Sequence, residues 1–203
     1  MNLFEKALLN YYSKEELETI QRIKIGIAGA GGLGSNCALN LVRSGFKKFY
    51  IYDYDKVEIN NLNRQFYFLN QVGMDKTAAL KENLMKINPE LEINTKKIMI
   101  NDKNIIKLFK KCDVVVEAFD NAEHKRMIAE RYIKSNKLFV SASGLAGIGN
   151  SNDIIIKKIN DKFYLIGDFN SEVSDTLKPY SPRVSVAAAK QADVILNYIK
   201  NKM

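Results

Sequence analysis

The 203-residue sequence has no tryptophan, one histidine, two cysteines and three prolines. Cys37 and Cys112 lie far apart without a Cys-x-x-Cys pair, so they build neither a disulfide framework nor a four-thiolate zinc site. The lone His124 has no context for a catalytic triad, and Ser141 and Ser143 resemble no nucleophile elbow, which sets serine hydrolysis aside. No stretch approaches the roughly 20 apolar residues of a membrane span. Met1-Asn2-Leu3-Phe4-Glu5 also lacks a basic region followed by an apolar one, so a cytoplasmic protein without a membrane partner is expected.

The chain does hold enough apolar residues (46%) to bury one sizeable core, and one domain over residues 1–203 is expected. Its net charge of +8 comes from 31 Lys and Arg against 23 Asp and Glu. These cations are scattered rather than clustered, and no nucleic-acid recognition signature is present; ATP or an acidic protein partner accounts for the charge equally well.

Ser13-Lys14-Glu15-Glu16 is a capping box and predicts helices over residues 1–22. A core over 23–143 then alternates strands (24–28, 49–52, 91–98, 113–118, 138–142) with helices (33–44, 76–87, 104–110, 122–136). Alternation of this kind predicts an α/β, Rossmann-like, doubly wound and mainly parallel sheet. Over 144–203 a glycine-rich segment leads into strands 153–159 and 163–166, read as an antiparallel C-terminal extension. A mobile loop over 168–180 and a final helix begun by Ser181-Pro182 complete the expected order.

Gly29-Ala30-Gly31-Gly32-Leu33-Gly34 follows an apolar strand and opens a helix, so its amides can hold phosphate oxygens. Asp53, about 20 residues further on and at the next strand's end, suits a ribose hydroxyl. A nicotinamide-dependent oxidoreductase shares both features. It has no use for Asp55, Asn61, Arg64, Gln65 and Lys76, nor for Asp120-Asn121 at the end of a later strand. Attack of a carboxylate on the α-phosphate of ATP does require such cations and carboxylates, because charge grows on the phosphoryl oxygens and on departing pyrophosphate. Asp120 at a strand's carboxyl end can hold Mg2+, or can merely cap the helix that follows.

Taken together, Gly29–Ser35, Asp53–Asp55, Asn61–Gln65, Gly73–Lys76 and Asp120–Asn121 resemble the ThiF/MoeB/HesA family, relatives of the ubiquitin-activating enzymes, from about Ile23 to Ile199. The resemblance implies ATP-dependent adenylation of a Gly-Gly carboxyl terminus. It places Gly31 and Gly32 at the phosphates, Asp53 at the ribose, and Asp55, Asn61, Arg64, Gln65, Lys76 and Asn121 around the nucleotide. Arg64 and Lys76 would stabilise the transition state and Asp120 would bind Mg2+. No strong general base is demanded, since the attacking carboxylate is ionised at neutral pH.

The chain departs from the family in lacking the two Cys-x-x-Cys pairs, so no zinc is expected, and in lacking a cysteine over 168–180, so sulfur would come from a separate donor protein. Arg22 is the only arginine before the glycine loop, which leaves no clear candidate for a residue shared across a homodimer. The resemblance still implies a homodimer. The short, zinc-free form points to the sulfur carrier ThiS as partner, with the molybdopterin carrier or a tRNA-modification substrate as alternatives. A non-catalytic binding module is the remaining reading, against which the retained Arg64, Lys76 and Asp120 weigh. His124 is expected at the surface, Cys37 and Cys112 in packed positions, and Phe66, Tyr67 and Phe68 either in the core or against a carrier.

Overall fold

The computed structural model describes residues 1–203. Two helices come first, α1 (Leu3–Leu8) and α2 (Lys14–Arg22). Ser13 caps α2 by accepting from the Glu16 amide while Glu16 accepts from the Ser13 amide, the reciprocal pair expected from the sequence. The chain then alternates through β1 (Lys24–Ala28), α3 (Gly32–Arg43), β2 (Lys48–Asp53), α4 (Lys76–Met85), β3 (Glu92–Lys97), α5 (Ile105–Leu108), β4 (Val114–Glu117), α6 (Ala122–Tyr132) and β5 (Leu138–Ala142). It closes with β6 (Ile155–Asn160), β7 (Phe163–Gly167) and α7 (Ser181–Lys200).

One seven-stranded sheet runs in the order β3-β2-β1-β4-β5-β7-β6. The first five strands are parallel, and their apolar residues split between two faces. Ile25, Ile27, Val114, Val116 and Val140 enter a core with α3, α4 and α7, whereas Ala28, Val115 and Phe139 meet Phe109, Ile128 and Tyr132 on the opposite face. Near-continuous Val and Ile runs are what a sheet covered on both faces requires.

The extension differs in one respect from a simple antiparallel addition. β6 and β7 form the antiparallel hairpin, but β7 inserts beside β5 in parallel, leaving β6 at the edge. The segment 168–180 is fastened at both ends. Asp168 accepts from the amides of Asn170 and Ser171 and pairs with Arg183, while the Lys178 carbonyl accepts from the Gly147 amide. α7 begins at Ser181, but its cap position is Tyr180, and Pro182 fits the first turn, where an amide needs no partner. α6 stops at Tyr132, short of Asn136.

Candidate functional site

The strand order reverses between β1 and β4, and ligands of such sheets settle in the crevice outside the carboxyl ends there. β1 is followed by Gly29, whose φ of +98° favours glycine, and a Cβ at Gly34 would lie 1.9 Å from the Gly29 oxygen. Those two glycines make the strand-to-helix turn. Gly31 is different. A Cβ there would meet only the Gln65 Nε2, at 4.0 Å, so the space over Gly31 is open.

Asp53 holds that turn. Its Oδ2 accepts from the Ala30 amide at 2.6 Å and its Oδ1 from the Asp55 amide at 2.7 Å. Burial pushes the Asp53 carboxyl above its ordinary range despite these two bonds. Each oxygen keeps a second lone pair. Tyr67 braces the same turn, its buried hydroxyl donating to the Ala30 carbonyl at 2.7 Å. Of the three aromatics 66–68, Tyr67 thus belongs to the interior, Phe66 packs against the core, and Phe68 is half exposed.

Lys76, at the start of α4, is buried, and its Nζ lies 2.6 Å from Asp55 Oδ2. The segment carrying Arg64 and Gln65 is pinned to α3, since Asn36 donates to the Arg64 carbonyl and Ser35 accepts from the Phe66 amide. The Arg64 guanidinium bonds only locally, through Nη1 to the Asn60 carbonyl and Asn63 Oδ1, and meets no carboxylate. Gln65 is buried with its Oε1 unpartnered. Its Nε2 is the protein atom nearest the open side of Gly31, and its Oε1 is one of four buried side-chain polar atoms without a partner in the chain.

In the β4–α6 turn Asp120 is not the cap of α6. The helix cap is Asn121, whose Oδ1 accepts from the amides of Glu123 and His124. Asp120 is exposed and makes no hydrogen bond or ion pair within the chain. The Asn121 side chain is therefore committed to α6, with only its amide nitrogen uncommitted, and Asn61 is similarly engaged in accepting from the Glu58 amide. The negative charge of Asp55, then burial, then Asp120 and Asp53 raise the Tyr54 hydroxyl above its ordinary range, with Lys76 opposing them. His124 stacks obliquely on Phe119, centroids 5.5 Å apart.

Sequence reasoning missed several supports. Glu117 reads as the tail of an apolar run yet is fully buried and bonded to Lys125 and Ser141. Arg183 donates to the carbonyls of Gly149 and Asn150 and pairs with Asp168, beside a cleft of about 410 Å³ at the carboxyl ends of β5 and β7. Burial pushes Asp168 up, but the amide of Ser171, the Asn170 amide, the Ser171 hydroxyl and Arg183 outweigh it and hold the carboxyl low. Cys37 and Cys112 sit in separate cores, and burial holds both thiols protonated, Cys112 pushed up to about 12.

The ordering of strands, the glycine turn at the reversal and the layers on both faces define a Rossmann-like α/β domain. The ThiF family pattern matches residues 5–197, and the chain belongs to that family. It is 33% identical over 127 residues to the adenylyltransferase and sulfurtransferase MOCS3 of Aedes aegypti, covering 62% of this chain and 29% of that one. It is also 33% identical over 135 residues to the tRNA threonylcarbamoyladenosine dehydratase of Bacillus subtilis (strain 168), covering 66% of this chain and 53% of that one. The chain thus spans between three tenths and about half of the length of these curated relatives. Its fold matches the crystal structure of the E. coli tRNA N6-threonylcarbamoyladenosine dehydratase TcdA in complex with ATP, with a TM-score of 0.87 at 19% identity over 97% of this chain and 93% of that one.

Proposed function

We propose that residues 1–203 act as one adenylyltransferase domain, using MgATP to activate the C-terminal glycine carboxylate of a ubiquitin-like sulfur carrier, with ThiS as the partner. The observation that supports this reading is the open space over Gly31, where a Cβ would meet only Gln65 Nε2 at 4.0 Å, with the Gln65 Oε1 left unpartnered and Arg64 paired with no carboxylate. Family membership supports it, as does the adenylyltransferase relative.

In this reading the carrier carboxylate attacks the α-phosphate, an oxygen–phosphorus bond forms, the α–β phosphoanhydride bond breaks and pyrophosphate leaves. Gly31 and Gly32 present helix-terminal amides to phosphate, and Asp53 accepts from the ribose hydroxyls through its remaining lone pairs. Gln65, Asn61 and Asn121 border the nucleotide. Lys76, drawn from Asp55, and Arg64 meet the charge that grows on the phosphoryl oxygens. No group of three or more His, Cys, Asp or Glu side chains converges on a metal position. The single free carboxylate of Asp120 fits Mg2+, an ion that takes one or two carboxylates and completes its shell with phosphate and water. Bound there, Mg2+ would neutralise phosphate charge. The carrier's tail would occupy the cleft beside Gly147 and Arg183. Both cysteines are buried and protonated, so sulfur would come from a separate protein. A homodimer is part of the same proposal.

A second reading keeps the chemistry and changes the acceptor: the carboxylate of a modified tRNA adenosine, favoured by the dehydratase relative. The test is transfer of labelled AMP from α-phosphate-labelled ATP, with release of pyrophosphate, to purified ThiS, to the molybdopterin carrier and to threonylcarbamoyl-bearing tRNA in parallel. Label on ThiS alone supports the proposal; label on the tRNA alone selects the second reading.

A further inference from the structure

Asp53 is bonded to two amides and Asp55 to Lys76, whereas Asp120 is bonded to nothing, yet the turn that carries it is fastened on both sides. On the far side, Asn121 caps α6. On the near side stands Glu117, the last residue of β4 and fully buried.

The Glu117 carboxylate is surrounded by donors. Its Oε1 accepts from the Phe119 amide at 2.6 Å and from Lys125 Nζ at 3.0 Å. Its Oε2 accepts from Ser141 Oγ at 2.5 Å, from Lys125 Nζ at 3.2 Å and, at 3.5 Å, from the Ala142 amide. Lys125 also reaches the Ala142 carbonyl, and Gln191 on α7 donates to the Glu117 carbonyl. One side chain thus joins the end of β4, the end of β5 and the first turn of α6. Burying a carboxylate is costly, and an apolar residue like its neighbours Val114–Val116 would serve packing at least as well. What no apolar residue supplies is a fixed acceptor for the Phe119 amide, which sets the backbone immediately before Asp120.

We propose that Glu117 is a positioning residue for Asp120, holding the turn so that the Asp120 carboxylate meets the divalent ion that accompanies the nucleotide. This rests on the assignment of Asp120 to the metal. Residues that orient a metal ligand from behind contribute about 10- to 100-fold in metal affinity. Glu117→Gln keeps the shape but brings an NH2 group among donors, which releases part of the network.

The experiment measures Mn2+ binding to the full chain by electron paramagnetic resonance with ATP present, alongside ATP binding in EDTA and thermal unfolding. Glu117→Gln is expected to weaken Mn2+ binding at least tenfold while metal-free ATP binding stays within twofold. Introduced into Asp120→Ala, it should add no further loss of Mn2+ affinity. If Asp120→Ala weakens Mn2+ binding and folded Glu117→Gln does not, Glu117 is structural only and the proposal falls. If Asp120→Ala itself leaves Mn2+ binding unchanged, the metal assignment falls and the proposal with it. Should Glu117→Gln fail to fold, Ser141→Ala, which removes one donor, decides: weaker Mn2+ binding supports the role and unchanged binding overturns it.

Discussion

Replacing Lys76 with Gln separates the chemistry of the site from its stability, because the structure sets different magnitudes for the two. The Lys76 side chain is 8% exposed and its partner Asp55 42% exposed. Breaking a fully buried ion pair costs about 3–5 kcal/mol, since the surviving charge is stranded. Exposed pairs contribute at most about 1 kcal/mol. Asp55 is open enough to be rehydrated when Lys76 is lost, so the expected cost lies near the lower figure, about 1 kcal/mol. A domain stable by about 5–15 kcal/mol stays folded after that loss. Catalysis should suffer much more: a preorganised donor facing transition-state charge is worth about 100- to 1,000-fold in turnover. Urea unfolding and single-turnover formation of labelled adenylate, run on the same preparations, test both numbers. Adenylate formation within a few-fold of wild type in folded Lys76→Gln would refute the transition-state role, and a loss of several kcal/mol in stability would refute the solvation argument.

Three further outcomes are expected. Gly31→Ala should leave unfolding within about 1 kcal/mol and weaken ATP binding measured by calorimetry, because its Cβ meets no protein atom closer than 4.0 Å; Gly34→Ala, with its Cβ against the Gly29 oxygen, should instead destabilise the fold by about 3 kcal/mol. Asp120→Ala should raise the Mg2+ concentration needed for half-maximal adenylation at least tenfold while leaving the melting temperature unchanged, since Asp120 bonds to nothing in the chain. For Glu5, burial pushes the carboxyl up, but the bonds from Lys47 and Asn88 outweigh it and hold the folded pKa below the ordinary 4.5. Its contribution to stability is therefore present above about pH 4.5 and lost as pH falls through the lower folded value, so urea unfolding of Glu5→Gln and wild type should converge at acid pH.

Local order was largely legible in the sequence. β1, β5 and α7 run over the residues that alternation, apolar runs and the Ser-Pro start indicate, and the capping box at Ser13 is present as read. Pairing across distance was not. Nothing in Phe163–Gly167 says that this strand lies parallel to β5, because a strand's pattern records which face is buried and not which neighbour it joins. In the site, Asp53 accepts from the Ala30 and Asp55 amides, Asp55 pairs with Lys76, and Gln65 is the side chain nearest the open side of Gly31. The division of labour between Asp120 and Asn121 was open in the sequence, since either residue type caps a helix; geometry gives the cap to Asn121. Glu117 stayed hidden because its donors, Lys125 and Ser141, come from elements that only the fold brings together.

The most direct measurement of the central claim is carrier-dependent exchange of labelled pyrophosphate into ATP by the purified chain, with ThiS and, separately, with the molybdopterin carrier. Exchange that requires ThiS, and disappears in Lys76→Gln, is the predicted result. Absence of exchange with every carrier, while ATP binding is intact, would contradict the assignment of this site to carboxylate adenylation of a sulfur carrier.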